Sequence, residues 1–149
     1  YLAYYLVLNG FNVLRYDATN HIGESDGEIF NYTFNQAKTD LIDSMDFVEE
    51  RFHSRTFGIA ATSLAVRIAI KTAAEDNRIG FIISMAGITN FRYSLQAIYD
   101  EDIIGDFLNN RAKGEYTIIG HKVKNRFLKV AVENSYYNLD STINDINSI

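Results

Sequence analysis

At 149 residues, 47% of them hydrophobic, the chain is long and apolar enough to build one domain with its own core, which argues against disorder. A net charge of −5 argues against nucleic acid as the main partner, since phosphate binding needs clustered positive charge. The absence of cysteine removes disulfide scaffolds, thiolate metal sites and thiol catalysis together, and agrees with a reducing cytoplasm.

The first residues, "YLAYYLVLN", read as a helix stopped by Gly10. This run and the later "IGFIISMAGI" are far short of the roughly 20 apolar residues that span a bilayer, so no transmembrane segment is expected. The chain opens inside that helix, without a methionine, and closes on "INDINSI" with neither a strand nor a capped helix. Both ends therefore read as cut from something longer. After Gly10, "FNVLRYD" mixes β-branched and aromatic residues at strand length and predicts a strand over 11–17. The turn-rich "ATNHIGESDGEIFNY" follows as a loop.

Thr33 and Gln36 have the spacing of a capping box, and behind them Phe34, Ala37, Leu41, Met45, Val48 and Phe52 recur at helical spacing. The opposite face carries Asp40, Asp43, Asp46, Glu49 and Glu50, which reads as a solvated surface. Next come "TFGIAA", "SLAVRIAIKTAAED" and "RIGFIISMAG", a strand, a helix and a strand. The helix keeps Arg67, Lys71 and Glu75 on one stripe and is apolar elsewhere, so it should lie largely buried against a sheet in a right-handed parallel crossover. The remainder of the chain is expected to be mostly helical. Alternating strands and helices give the α/β class.

Ser63 stands where the first of these strands ends and the helix begins. In open parallel sheets, ligands bind outside the carboxyl ends of the strands. The serine could be an N-cap, accepting a bond from the first helical turn. It could also be a nucleophile elbow, whose tight turn lifts the hydroxyl above the sheet and requires small residues two positions to either side. Ala61 and Ala65 hold those positions, so "ATSLA" is A-x-S-x-A where G-x-S-x-G is usual. As a nucleophile Ser63 would draw half of an oxyanion hole from the backbone N–H of Leu64, and would need a histidine base with an orienting carboxylate. The one downstream histidine, His121, sits in a segment that reads as a cap, where Val123, Phe127 and Val130 form an apolar stripe. His53 reads as a surface residue, and His21 as a local hydrogen-bonding residue of its loop. No cluster of ligands with metal-binding spacing and no glycine-rich phosphate loop occurs, and no cofactor is expected.

Taken together, "GFNVLRYDATNHIGESDG", "GIAATSLAVRIA", "MAGITNFRYSL", "GHKV" and "NLDSTINDI" resemble the acyl transferases (myristoyl-acyl-carrier-protein thioesterases) of the bacterial bioluminescence fatty acid reductase complex, a family of α/β-hydrolases. The likeness runs in order along nearly the whole chain. It implies a partial α/β-hydrolase fold, with 1–87 as the central part of the core and 88–149 as a helical cap or lid. It implies a serine enzyme that takes a long-chain acyl group from a carrier-protein thioester and releases fatty acid, with Ser63 as nucleophile and the Leu64 amide as oxyanion donor. The family's catalytic aspartate and histidine correspond to positions beyond Ile149, and its first strands to positions before Tyr1, so the chain alone is expected to be inactive.

A fatty chain needs an apolar tunnel. Phe91, Tyr93, Leu95, Ile98, Tyr99, Phe107, Leu108, Phe127, Tyr136 and Tyr137 could line one or could simply pack the cap. Arg111, Lys113, Lys122, Lys124, Arg126 and Lys129 form a basic region suited to an acidic carrier protein, with Lys122 and Arg126 as candidate docking residues; subunits of the reductase complex are further partners implied by the resemblance. Two other readings stay open: a carboxylesterase for small esters, and a noncatalytic module on the same fold.

Overall fold

The computed structural model describes residues 1–137. Helix α1 (Leu2–Leu8) forms as expected, and Gly10 ends it. With φ at +85°, Gly10 lets its N–H reach the Val7 carbonyl (3.0 Å) while the Phe11 N–H reaches that of Leu6 (3.1 Å). This is the paired closure of a Schellman motif. The helix buries no residue.

The expected strand over 11–17 does not form. Strand conformation in water needs a ladder for its N–H and C=O groups, and among the described residues none is offered to this segment. The loop after it is tied down instead. Asp40 accepts hydrogen bonds from the Thr19 N–H (2.7 Å), the Thr19 hydroxyl (3.1 Å) and the Gln36 amide (3.0 Å). Asp40 is thus a loop anchor rather than a solvated acid.

A 3₁₀ turn (Ile29–Asn31) leads into α2 (Phe34–Phe52), where the Thr33 hydroxyl accepts the Gln36 N–H at 3.3 Å. Only half of the capping box is made, because the Gln36 side chain goes to Asp40. Phe34, Ala37, Leu41 and Met45 are buried, but the stripe runs out before Phe52, which is 66% exposed.

Strand β1 (Phe57–Thr62), helix α3 (Ala65–Ala73) and strand β2 (Ile79–Met85) form the expected unit, with the strands paired in parallel from Gly58–Phe81 to Thr62–Met85. Ala61, Val66 and Ala69 make a small core between strands and helix. Arg67 departs from the expected polar stripe and is buried. The start of β2 is fixed to α2 by Arg78, whose guanidinium bonds Asp76 (2.7 Å), Asp46 (2.7 Å) and Glu49 (3.0 Å), so two more of the acids read as solvated are structural.

The described residues after β2 are less helical than expected. Helices α4 (Phe91–Tyr99) and α5 (Ile103–Leu108) are capped by Asn90 and Asp102. An antiparallel hairpin follows, β3 (Glu115–Ile118) and β4 (His121–Lys124), before α6 (Asn125–Glu133). Val123, read as part of a helical stripe, therefore lies in a strand. It points inward with Tyr116 and Ile118, while Glu115, Thr117, Lys122 and Lys124 face out.

The main core centres on Phe34. Its ring stacks on Phe127 and Tyr136 (centroids 4.9 Å apart in each pair) and meets Phe91 edge-on at 5.7 Å. Ile68, Leu95, Ile103, Ile104 and Leu128 complete it, so one continuous core joins residues on both sides of position 87. The architecture is a mixed one of helices around a small parallel sheet, compatible with the α/β class. Among the described residues, no helix is long and apolar enough to cross a membrane.

Candidate active site

Ser63 lies between Thr62, the last residue of β1, and Leu64, at the head of α3. Its φ is +51°, in the left-handed region where a residue with a Cβ is strained by about 1–2 kcal/mol. The neighbouring exit of β2 holds it there. The Ser63 N–H donates to the Met85 carbonyl (3.1 Å), and the Ile88 N–H donates back to the Ser63 carbonyl (3.3 Å). Ala86, between those two, has φ at +50°. Gly87 lets the two turns approach, because a Cβ on it would stand 2.9 Å from Val66 Cγ1 in the first turn of α3.

An N-cap residue has extended backbone and a side chain that accepts from the helix. Helix α3 begins with no side-chain cap, and Ser63 does not have extended backbone. Its side chain is half-buried and engages no described residue in a hydrogen bond. The Ser63 N–H is spent on Met85, whereas the Leu64 N–H is bound to no described residue. Ala61 is buried in the small core and Ala65 is exposed at the mouth of the turn.

No described histidine is hydrogen-bonded to Ser63. His121 opens β4, His53 ends α2 with a φ of +56° and is exposed, and the His21 ring stands edge-on to Tyr32 at 5.0 Å. Burial pushes the Tyr32 and Tyr136 hydroxyls well above the ordinary tyrosine range, so neither is available as a base near neutrality. No group of three histidine, aspartate or glutamate side chains among the described residues could hold a metal ion.

The expected tunnel residues divide sharply. Phe91, Leu95, Phe127 and Tyr136 are fully committed to the core. Tyr93, Ile98 and Leu108 are exposed, and Tyr99, Phe107 and Tyr137 are half-buried against that core. The basic region is similarly divided. Arg111 pairs with Asp106, Lys113 with Glu101, Lys122 with Glu115 and Lys129 with Glu133. Lys124 bonds Asn31 and lies over the Phe30 ring. Arg126 is exposed and makes no ion pair with a described residue. The "LDST" motif lies outside the described residues.

Ser63 and its flanking alanines are legible in the sequence pattern, and the exit of β2 is a further part of the site. The signal was present in "SMAG", where a small residue and a glycine follow an apolar strand directly, as a close turn requires.

Comparison with known proteins gives a consistent result. A family model described as acyl transferase matches residues 1–149. An acyl transferase of Photobacterium leiognathi is 36% identical over 146 residues, covering 97% of this chain and 45% of that protein. Acyl transferases of Photobacterium phosphoreum (34% identical, 96% of this chain, 46% of that protein) and Photorhabdus luminescens (34%, 97% and 47%) match over the same span. The chain spans a little under half the length of these curated relatives.

Proposed function

Because the chain belongs to the acyl transferase family, we propose that it carries the nucleophile of a serine-dependent acyl transfer, on an α/β-hydrolase scaffold with residues 88–149 as cap. Ser63 Oγ attacks the carbonyl carbon of an acyl thioester, and the hydroxyl proton passes to a base. The carbon–sulfur bond breaks, the thiol leaves with a proton, and an acyl-serine ester remains. Water then takes the acyl group as free acid and returns the proton to serine. The Leu64 N–H is one donor to the oxyanion of both steps. Base, orienting carboxylate and second donor are assigned to none of the 149 residues, and the chain alone is expected to lack turnover.

The observation that carries this reading is the backbone of Ser63. A serine held at φ +51° between a parallel strand and a helix is strained without any gain as a cap, and such strain gathers at functional turns.

The substrate we assign is a long-chain acyl thioester on an acidic carrier protein, with the fatty acid feeding a reductase complex in bioluminescence. The relatives from Photobacterium and Photorhabdus support that setting. Docking is placed at Lys122 and Arg126. Since Lys122 is already matched by Glu115, Arg126 should carry the larger share.

In the protein at its full natural length, Ser63→Ala should lower thioester turnover by about a thousandfold or more and abolish trapping of a labelled acyl group on the chain. Retained turnover in that variant would overturn the reading. Reversing Arg126 to Glu should raise KM for a carrier-bound thioester while leaving a small thioester unaffected. Equal efficiency on both would remove the docking assignment.

A further inference from the structure

We propose that Arg67 is a positioning residue that fixes the Ser63 turn by fastening the end of α6 to the helix behind it; the inference rests on Ser63 being the nucleophile. Arg67 stands four positions after Ser63, on the first turns of α3, and is 2% exposed. A guanidinium stays charged at any physiological pH and is costly to bury without strong acceptors.

Among the described residues it is held by the carbonyls at the end of α6. That helix closes as a Schellman motif, with Ser135 at φ +58°, the Ser135 N–H on the Val132 carbonyl (3.1 Å) and the Tyr136 N–H on the Ala131 carbonyl (2.8 Å). Arg67 Nε donates to the Tyr136 carbonyl at 2.9 Å, and Nη2 to that of Ser135 at 3.3 Å. A cation there also meets the negative end of the helix dipole.

The consequence follows from one more bond. The Tyr137 carbonyl accepts the Phe91 N–H (3.0 Å), which is the first N–H of α4 and has no partner within its own helix. Phe91 is joined through 89–90 to the exit of β2, and that exit bonds both the N–H and the carbonyl of Ser63. The contacts thus close a ring: Ser63 to the β2 exit, to the start of α4, to the turn after α6, and through Arg67 into α3 and back to Ser63. Every other non-covalent link in the ring is a backbone hydrogen bond. Arg67 supplies the side-chain link, and without it α3 can turn or slide against α4 and relax the strained φ of Ser63.

Arg67 does not touch the reacting atoms. Its loss should therefore appear as misplaced chemistry rather than weakened binding, because a shift of about 1 Å in a nucleophile is enough to cost orders of magnitude.

The test uses the protein at full natural length, as parent, Arg67→Met and Arg67→Lys. Two probes are followed: a serine-directed fluorophosphonate, with Ser63→Ala as blank, and p-nitrophenyl acetate. Rates are taken per titrated serine, so a lower folded fraction alone does not change them. Arg67→Met should label at Ser63 at least about tenfold more slowly and lose about as much kcat on the ester with KM within twofold. Arg67→Lys, which keeps the charge and one donor toward the same carbonyls, should fall between. Parental labelling and kcat per site in either folded variant overturns the proposal, and Arg67→Lys decides it if Arg67→Met does not fold. A parent that resists labelling at Ser63 overturns the nucleophile reading itself, a result distinct from parental rates in the variants.

Discussion

Residues 1–17 and residues 91–137 are both rich in aromatic and aliphatic side chains, and they use them differently. In the first region Tyr1, Tyr4, Tyr5, Val7, Leu8, Phe11, Leu14 and Tyr16 are all exposed. In the second Phe91, Leu95, Ile104, Tyr116, Val123, Phe127, Leu128 and Tyr136 are buried. Hydrophobic content does not explain the contrast, since it is higher in the exposed region (12 of 17 residues) than in the buried one (22 of 47). The facing surface does: α4, α5, the hairpin and α6 close over the stripe of α2, whereas α1, a helix of seven residues and too short to hold itself together, contributes no residue to the core.

The contrast can be broken most directly at Phe34, through which α2 contacts the second region. Phe34 is 0% exposed and touches three other aromatic rings across helices α4 and α6 and the turn after α6. Phe34→Ala should destabilise the fold by about 3–5 kcal/mol, by transfer and cavity costs together, seen as a lower midpoint in urea. A loss under 1 kcal/mol would mean that the two sides of position 87 hold together without it.

A smaller break is available at Arg78, which fastens β2 to α2. Arg78→Met should cost about 1–2 kcal/mol, as expected for charge-assisted bonds only partly screened by water. Acid should remove the same contribution. The Arg78 hydrogen bonds hold the Asp76 carboxyl below the usual range, so its stabilisation is complete above the unfolded value of about 4 and is lost as pH falls through the depressed folded value. The gap in stability between parent and Arg78→Met should accordingly be constant from pH 5 to 7 and shrink below about 4. A gap that widened in acid would show that Asp76 is not the partner that matters.

How much of this was legible follows from the same contrast. Helix α2, with its cap at Thr33 and its stripe, and the β1–α3–β2 unit could be read because their signals are local and their partners lie within the chain. The strand over 11–17 was misread because strand-forming composition cannot announce a missing ladder. The hairpin was missed for the opposite reason. Its alternation is plain in "EYTI" and "HKVK", but its two-residue turn is Ile119–Gly120, with φ at +50° and +80°, and a β-branched residue is the last expected there. The serine motif was legible as a pattern; the sign of its φ, the bonds to Met85 and Ile88, and the burial of Arg67 were not, since each depends on contacts remote in sequence.

That turn offers a way to sharpen the comparison by strengthening the closed region. Ile119 is 63% exposed, so replacing it gives up little burial, and its N–H can keep the bond to the Tyr99 hydroxyl. Ile119→Asn, which suits a left-handed position, should stabilise by about 0.5–1 kcal/mol. A neutral or harmful result would mean that the Ile119 side chain packs more than its exposure suggests.

The smallest effect belongs to the open region, and it separates two causes for the same exposure. If Tyr4 contributes only through its own helix, Tyr4→Ser should change stability by less than about 0.5 kcal/mol, because the side chain is 63% exposed and its one ring partner, Tyr5 at 5.5 Å, is as open as itself. The same substitution should lower the tendency of the chain to self-associate, since a run of exposed aromatics is a surface that seeks cover. Sedimentation of the parent and of Tyr4→Ser over a range of concentrations reads this without reference to activity. A drop of 2 kcal/mol or more on substitution would place Tyr4 against another part of the fold and end the distinction between an open and a closed region, whereas a small change with reduced association would establish that α1 differs from α6 in its partners alone.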